Sequence, residues 1–214
     1  MRLQTQDNSP PTSSPASGWQ SEPIADEQRY RAGAYQLLAA LLRGVPEQDV
    51  LVQLTQLAAV QGQHDELATA MSLLGLAASG TAAQRIDDEY HALFIGLGRG
   101  ELVPFGSWYL TGFLMEKPLA LLRDDLAELG YERTATTHEP EDHVAALCEV
   151  MAMLITEDTA LQTQEKFFQA HLDSWVDRFF EDLSQAKSAV FYRAVGRFGR
   201  AFIELERQYL AMQV

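Results

Sequence analysis

Apolar residues recur in this chain at intervals of three and four, and nowhere do they alternate with polar ones over a useful length. That period is the period of the α-helix, and its persistence excludes a sheet-based fold. From Asp26 onward, Tyr30, Ala34, Leu37, Leu38 and Leu41 fall at i, i+4, i+7, i+8 and i+11, one face of a first helix. Pro46 stands as a first-turn proline before Val50, Leu51, Leu54, Leu57 and Ala58. A third helix is predicted over about 64–78. Thr81 and Gln84 have the spacing of a capping box for a fourth, which carries Ile86, Tyr90, Leu93 and Phe94. Pro118 opens another helix that Gly130 ends, and Pro140 opens the next, with Val144, Leu147, Cys148, Met151, Leu154 and Ile155 on one face. Further helices are predicted over about 161–171, 173–185 and 188–211, the last with Tyr192, Val195, Phe198, Phe202, Leu205 and Tyr209 inward. No internal repeat is visible. The expected fold is an all-α bundle of two closely packed halves joined near 131–139.

Two stretches interrupt the period. Residues 1–25 hold Pro10, Pro11, Pro15 and Pro23 and five serines, and read as a disordered, dispensable tail ahead of a helical domain at 26–214. Residues 95–109 contain four glycines and Pro104, which forbid a continuous helix. A net charge of −14 argues against binding a phosphate backbone and favours a basic partner. The one cysteine, Cys148, allows neither an intrachain disulfide nor a cysteine-based zinc site, and its apolar neighbours mark it as an inert thiol. No run is long and apolar enough to span a bilayer, and residues 1–18 lack the apolar core of a secretory signal, so a cytoplasmic location is expected.

Catalytic and cofactor readings fare poorly. Gly96, Gly98 and Gly100 lack the preceding strand that a dinucleotide loop requires. Asp88 with His91, and Glu139 with His143, are spaced for one helix face, but the chain has no Glu-x-x-His pair of the kind that di-iron bundles use. Ser107 lacks a nucleophile elbow. No cofactor and no catalytic residue are expected. More informative is HEPEDH, residues 138–143. Its acids suit the positive end of a helix, which favours a capping motif, but a protonated His143 would oppose that dipole. Phe105, Trp108 and Tyr109 lie in a Gly/Pro loop, a place where aromatics line grooves, and Phe94 flanks them.

Taken together, EYHALFIG (89–96), VPFGSWYL (103–110), the helix with Pro118, Leu122, Arg123 and Gly130, EPEDH (139–143) and FFQAHLDSWVDRFF (167–180) resemble the TorD/DmsD/NarJ family of molybdoenzyme chaperones. The resemblance implies a cytoplasmic helical protein, not an enzyme, that binds the twin-arginine leader of a molybdenum enzyme's catalytic subunit. Such a protein assists insertion of the molybdopterin cofactor and delays export until insertion is done. It implies peptide-binding roles for Tyr90, Leu93, Phe94, Pro104, Ser107, Trp108, Tyr109, Glu139, Asp142 and His143. Tyr90 stands where some members have tryptophan, and Gly106 where an acidic residue is common, so the client enzyme stays open. Nucleic acid and membrane are not expected partners. The chain is expected as a monomer that can exchange its halves in a domain-swapped dimer. The alternatives are a metal-dependent enzyme in a helical bundle and a helical adaptor without leader specificity.

A leader with two guanidinium groups and an apolar stretch suits an acidic binder with an aromatic groove. Burying three leucine-sized side chains is worth roughly 5–8 kcal/mol, against about 2–5 kcal/mol to order a flexible peptide. Arg–carboxylate contacts must therefore contribute.

Overall fold

The computed structural model describes residues 3–5, 26–60, 62, 65–133 and 139–212. Ten α-helices dominate these residues: α1 (Asp26–Arg43), α2 (Gln48–Thr55), α3 (Glu66–Gly80), α4 (Ala83–Tyr90), α5 (Gly106–Thr111), α6 (Lys117–Glu128), α7 (Val144–Thr156), α8 (Leu161–Phe168), α9 (Val176–Gln185) and α10 (Phe191–Met212). Single π-helical turns, His91–Ile95 and Gln169–Asp173, continue α4 and α8. The fold is the all-α bundle that the periodicity predicts. No helix among the described residues is long and apolar enough to cross a membrane.

Helix α7 is apolar on nearly every side and is buried accordingly, from Val144 through Ile155 with Glu149 and Met153 as the partial exceptions. It packs against α1, and α10 packs against α9 and α3. The close approach of α10 to α9 depends on Gly196. A Cβ there would stand 2.7 Å from the Ser184 nitrogen and 2.8 Å from the Phe180 carbonyl oxygen. A buried ion pair ties α1 to α10: Arg31 Nε donates to Glu206 Oε2 at 2.8 Å, and the guanidinium lies 4.2 Å from the Tyr209 ring centroid. Arg43 pairs with Glu149 between α1 and α7.

That buried ion pair explains where the predicted helix faces slip. The buried residues of α1 are Arg31, Ala32, Tyr35, Leu38, Ala39, Leu41 and Leu42, while Tyr30 is 71% exposed. On α10, Glu206 is buried and Leu205 is 46% exposed. In both helices a charged residue occupies a core position, so Tyr30 and Leu205 fall outside the buried stripes, while Leu38, Leu41, Tyr192, Val195, Phe198 and Phe202 are buried as predicted. The predicted capping box also fails to form. Ala82 is the N-cap of α4 without a side-chain bond, and Gln84 instead donates to Asp88 at 3.2 Å. Helix α7 begins at Val144 rather than at Pro140.

The sequence shows no strand, yet Leu3–Thr5 pairs antiparallel with Tyr131–Arg133, with Leu3 opposite Arg133 and Thr5 opposite Tyr131. These strands, β1 and β2, bring part of the expected 1–25 tail to the connection between α6 and α7. Residues 1–2 and 6–25 of that tail, and 134–138 of the predicted polar loop, lie outside the described residues.

A buried joint and an acidic cleft

Two of the segments singled out in the sequence are stitched together by backbone hydrogen bonds. The Val144 N–H donates to the Pro104 carbonyl and the Gly106 N–H to the Asp142 carbonyl, each at 2.9 Å, and Phe105 bridges His143 antiparallel. Side chains complete the joint. Asp142 Oδ2 accepts from the Ser107 N–H at 2.8 Å, at the start of α5. His143 is the N-cap of α7: its Nδ1 accepts from the Ala145 N–H at 3.1 Å, while its ring stands edge-on to Phe105 at 5.0 Å. An acceptor nitrogen requires the neutral imidazole, and burial supplies it, holding the His143 pKa down to about 3. The EPEDH segment is thus a capping motif, but the cap is the histidine, and Asp142 serves a helix from the other side of the joint.

The ten residues with expected peptide-binding roles have several distinct surroundings. Pro104, Ser107, Asp142 and His143 are buried in the joint, with Ser107 fully enclosed and Asp142 3% exposed. Tyr90 and the half-buried Phe94 form an aromatic cluster with Tyr192, at centroid distances of 5.0 Å between the first two and 5.5 Å from Phe94 to Tyr192, while Leu93 is buried. Glu139 is exposed. Burial, and then the Glu139 charge, push the Tyr90 phenol up to about 12. Trp108 lies under the Arg99 guanidinium at 4.2 Å. Tyr109 stacks on Trp175 at 5.5 Å and donates to Asp182 at 3.0 Å.

Of these ten, Asp142 lines a cleft of about 310 Å3 between α5, α6 and the π-helical turn after α8. Leu110, Pro118, Leu121 and Trp175 supply its apolar wall, and Asp124, Asp125 and Asp142 its charge. Among the described residues neither Lys nor Arg lines it. His171 at its edge contacts Asp125 at 2.7 Å, yet burial outweighs that carboxylate and lowers the histidine's pKa. Asp142 Oδ1 is buried without a hydrogen-bond partner, a state that costs free energy unless something satisfies it. Next to the cleft, the connection from α5 to α6 exposes Phe113 (67%) and Met115 (73%), and Leu121 on α6 is 52% exposed. An acidic recess beside exposed apolar side chains suits a cationic group followed by apolar ones.

The cleft was not evident from the sequence, because its walls come from four separate segments. The available signals are the acid pair Asp124–Asp125 on α6, and His171 with Trp175 in the 167–180 segment. Glu89 was missed too, although it belongs to EYHALFIG. It is buried and accepts from the N–H groups of Val190, Phe191 and Tyr192 at 2.7, 3.0 and 2.7 Å, holding the start of α10. Cys148 is buried, and burial pushes its thiol up to about 12. Among the described residues no group of three or more His, Cys, Asp and Glu side chains is arranged for a metal.

Comparison with known proteins matches residues 56–181 to the family described as the nitrate reductase delta subunit. The chaperone TorD of Vibrio cholerae is 30% identical over 129 residues, 55% of this chain and 59% of its own length. A protein of Haemophilus influenzae assigned as the Tat proofreading chaperone DmsD is 32% identical over 52% of this chain and 55% of its own length. The match therefore spans less than two thirds of either relative. TorD of Aliivibrio fischeri is 26% identical over 89% of both chains. The fold is shared with a crystal structure from Archaeoglobus fulgidus assigned as a redox enzyme maturation protein, with a TM-score of 0.54 at 18% identity over 81% of this chain and 93% of the other. The chain belongs to the nitrate reductase delta subunit family, to which the TorD and DmsD chaperones are related.

Proposed function

We propose that this protein is a maturation chaperone for a molybdoenzyme, and that it binds the twin-arginine leader of the catalytic subunit in the cleft between α5 and α6. The observation that carries this reading is Asp142. Its carboxylate is fixed by Ser107 through one oxygen, while the other accepts nothing, in a recess whose remaining charges are also acidic. A leader arginine enters between Asp124 and Asp125 toward Asp142. The apolar stretch that follows lies on Leu110, Leu121 and the Phe113–Met115 connection. Glu139, whose charge reaches Tyr90, is the exposed carboxylate for the second guanidinium. In this role the chain does no covalent chemistry and works in the cytoplasm: it holds the precursor back from export while the molybdopterin cofactor is inserted. A domain-swapped dimer, with halves exchanged across 131–139, is a separate proposal for its assembly, tested by light scattering over a concentration series. A monomer at every concentration would refute it.

Titration calorimetry with a synthetic twin-arginine leader tests the leader reading. Asp124 is exposed, so Asp124→Asn should leave the fold intact and weaken binding about three- to tenfold, equivalent to one charge-assisted contact. Replacing both leader arginines by glutamine should abolish most of the salt dependence. Leader binding that ignores both changes would remove the basis of the proposal.

A further inference from the structure

A second surface, sharing no lining residue with that cleft, is lined by four arginines and by Glu66, Asp177 and Glu204. Between α3 and α10 runs a groove of about 1040 Å3. Its apolar side chains include Leu73, Leu76 and Val190, which are 37%, 56% and 69% exposed. Its wall carries Arg193, Arg197, Arg200 and Arg207, spaced by four, three and seven along one stripe of α10. These are four of the 16 basic residues of a chain of net charge −14, gathered on one helix.

We propose that this groove docks a helical segment of a partner protein that presents a row of carboxylates along one side of an apolar stripe. The occupant's charge follows from the arginines. Arg193 forms no ion pair among the described residues. The other three hold theirs at the surface: Arg197 with Glu66 at 2.9 Å, Arg200 with Asp177 at 3.5 Å and Arg207 with Asp173 at 2.7 Å. Exposed pairs of this kind contribute little, so partner carboxylates can replace the internal ones at small cost. The occupant's shape follows from the spacing. Arg193 to Arg207 covers fourteen residues, about 21 Å of helix axis. That is a linear array rather than the convergent cluster that a single phosphate needs. Leu73 and Leu76, three apart on α3, and Val190 offer an apolar track parallel to the cations, the arrangement by which a groove takes an amphipathic helix. A second copy of this chain fits less well, because two molecules of net charge −14 repel.

The test uses the full chain and a fluorescein-labelled, helix-stabilised peptide of about 16 residues with leucines on one stripe and glutamates along one flank of it. A version with lysine for every glutamate is the control. The glutamate peptide should bind saturably and at least about tenfold more tightly than the lysine version. Arg193→Glu and Leu76→Asp should each weaken it about tenfold or more with circular dichroism and leader affinity unchanged. The proposal is overturned if the two peptides bind alike, or if both variants stay folded and bind like the wild type. It is also overturned if light scattering shows a dimer that Leu76→Asp dissociates, since the occupant is then a second copy. This inference is independent of the leader site: leader binding can fail while the groove binds its helix, and the reverse.

Discussion

His143 caps α7 only while neutral, which gives the protein a pH dependence with a defined sign. The unfolded chain protonates its histidines near about 6.5, whereas burial keeps the folded pKa at about 3. Below about 6.5 the unfolded state therefore binds a proton that the folded state refuses. Stability falls as pH drops from there toward about 3, by up to about 1.4 kcal/mol per pH unit. His171 is shifted in the same direction by burial and adds to the slope. His143→Asn keeps a capping acceptor and removes the titration. Melting curves between pH 7.5 and 5.5 should show a shallower decline for the variant than for the wild type, and equal declines would contradict the assignment. At the neighbouring position, Asp142→Asn retains an acceptor for the Ser107 N–H, but Asp142→Ala should cost about 1–2 kcal/mol. The sequence exposes the oddity of a histidine at an acidic helix start but not its resolution. The partner strand of the joint, Pro104–Ser107, is more than thirty residues away, and only the folded backbone shows that Asp142 and His143 cap two different helices.

At the scale of elements, the helices themselves follow from the 3.6-residue period, and Pro118 and Gly130 bound α6 as expected. Their inward faces follow except at Tyr30 and Leu205, because the Arg31–Glu206 pair places charge on the two buried stripes. Nor does the period reveal what fixes the ends. The start of α10 is held by Glu89 from α4, a carboxylate that a pattern of apolar residues leaves unassigned. Glu89→Ala strands three N–H groups and should cost about 3 kcal/mol in urea unfolding. A cost near zero would mean that solvent satisfies them. The α9–α10 contact makes a second case. Gly196 is legible as a helix-weakening residue, while its role as the point of closest approach is not. Gly196→Val should destabilise by about 2–3 kcal/mol through overpacking, measured by the same unfolding experiment.

Across the whole molecule, helices from before and after the 131–139 connection pack closely on one another. Helix α1 packs on α7, α3 on α10, and Glu89 and Arg31 each reach across the 131–139 connection. The pairing of β1 with β2 brings the chain's first residues to the same connection. The net charge of −14 was legible as a preference for a basic partner, but its distribution was not. A single net charge cannot distinguish an acidic cleft at α5–α6 from an arginine row on α10, and only tertiary packing separates them. The central claim is that the leader occupies the α5–α6 cleft. Hydrogen–deuterium exchange on the full chain, with and without a twin-arginine leader peptide, tests it most directly. The account predicts leader-dependent protection of residues 106–125 and 169–175, with the α3–α10 groove unchanged. Protection confined to other segments, with 106–125 exchanging as in the free protein, would contradict it.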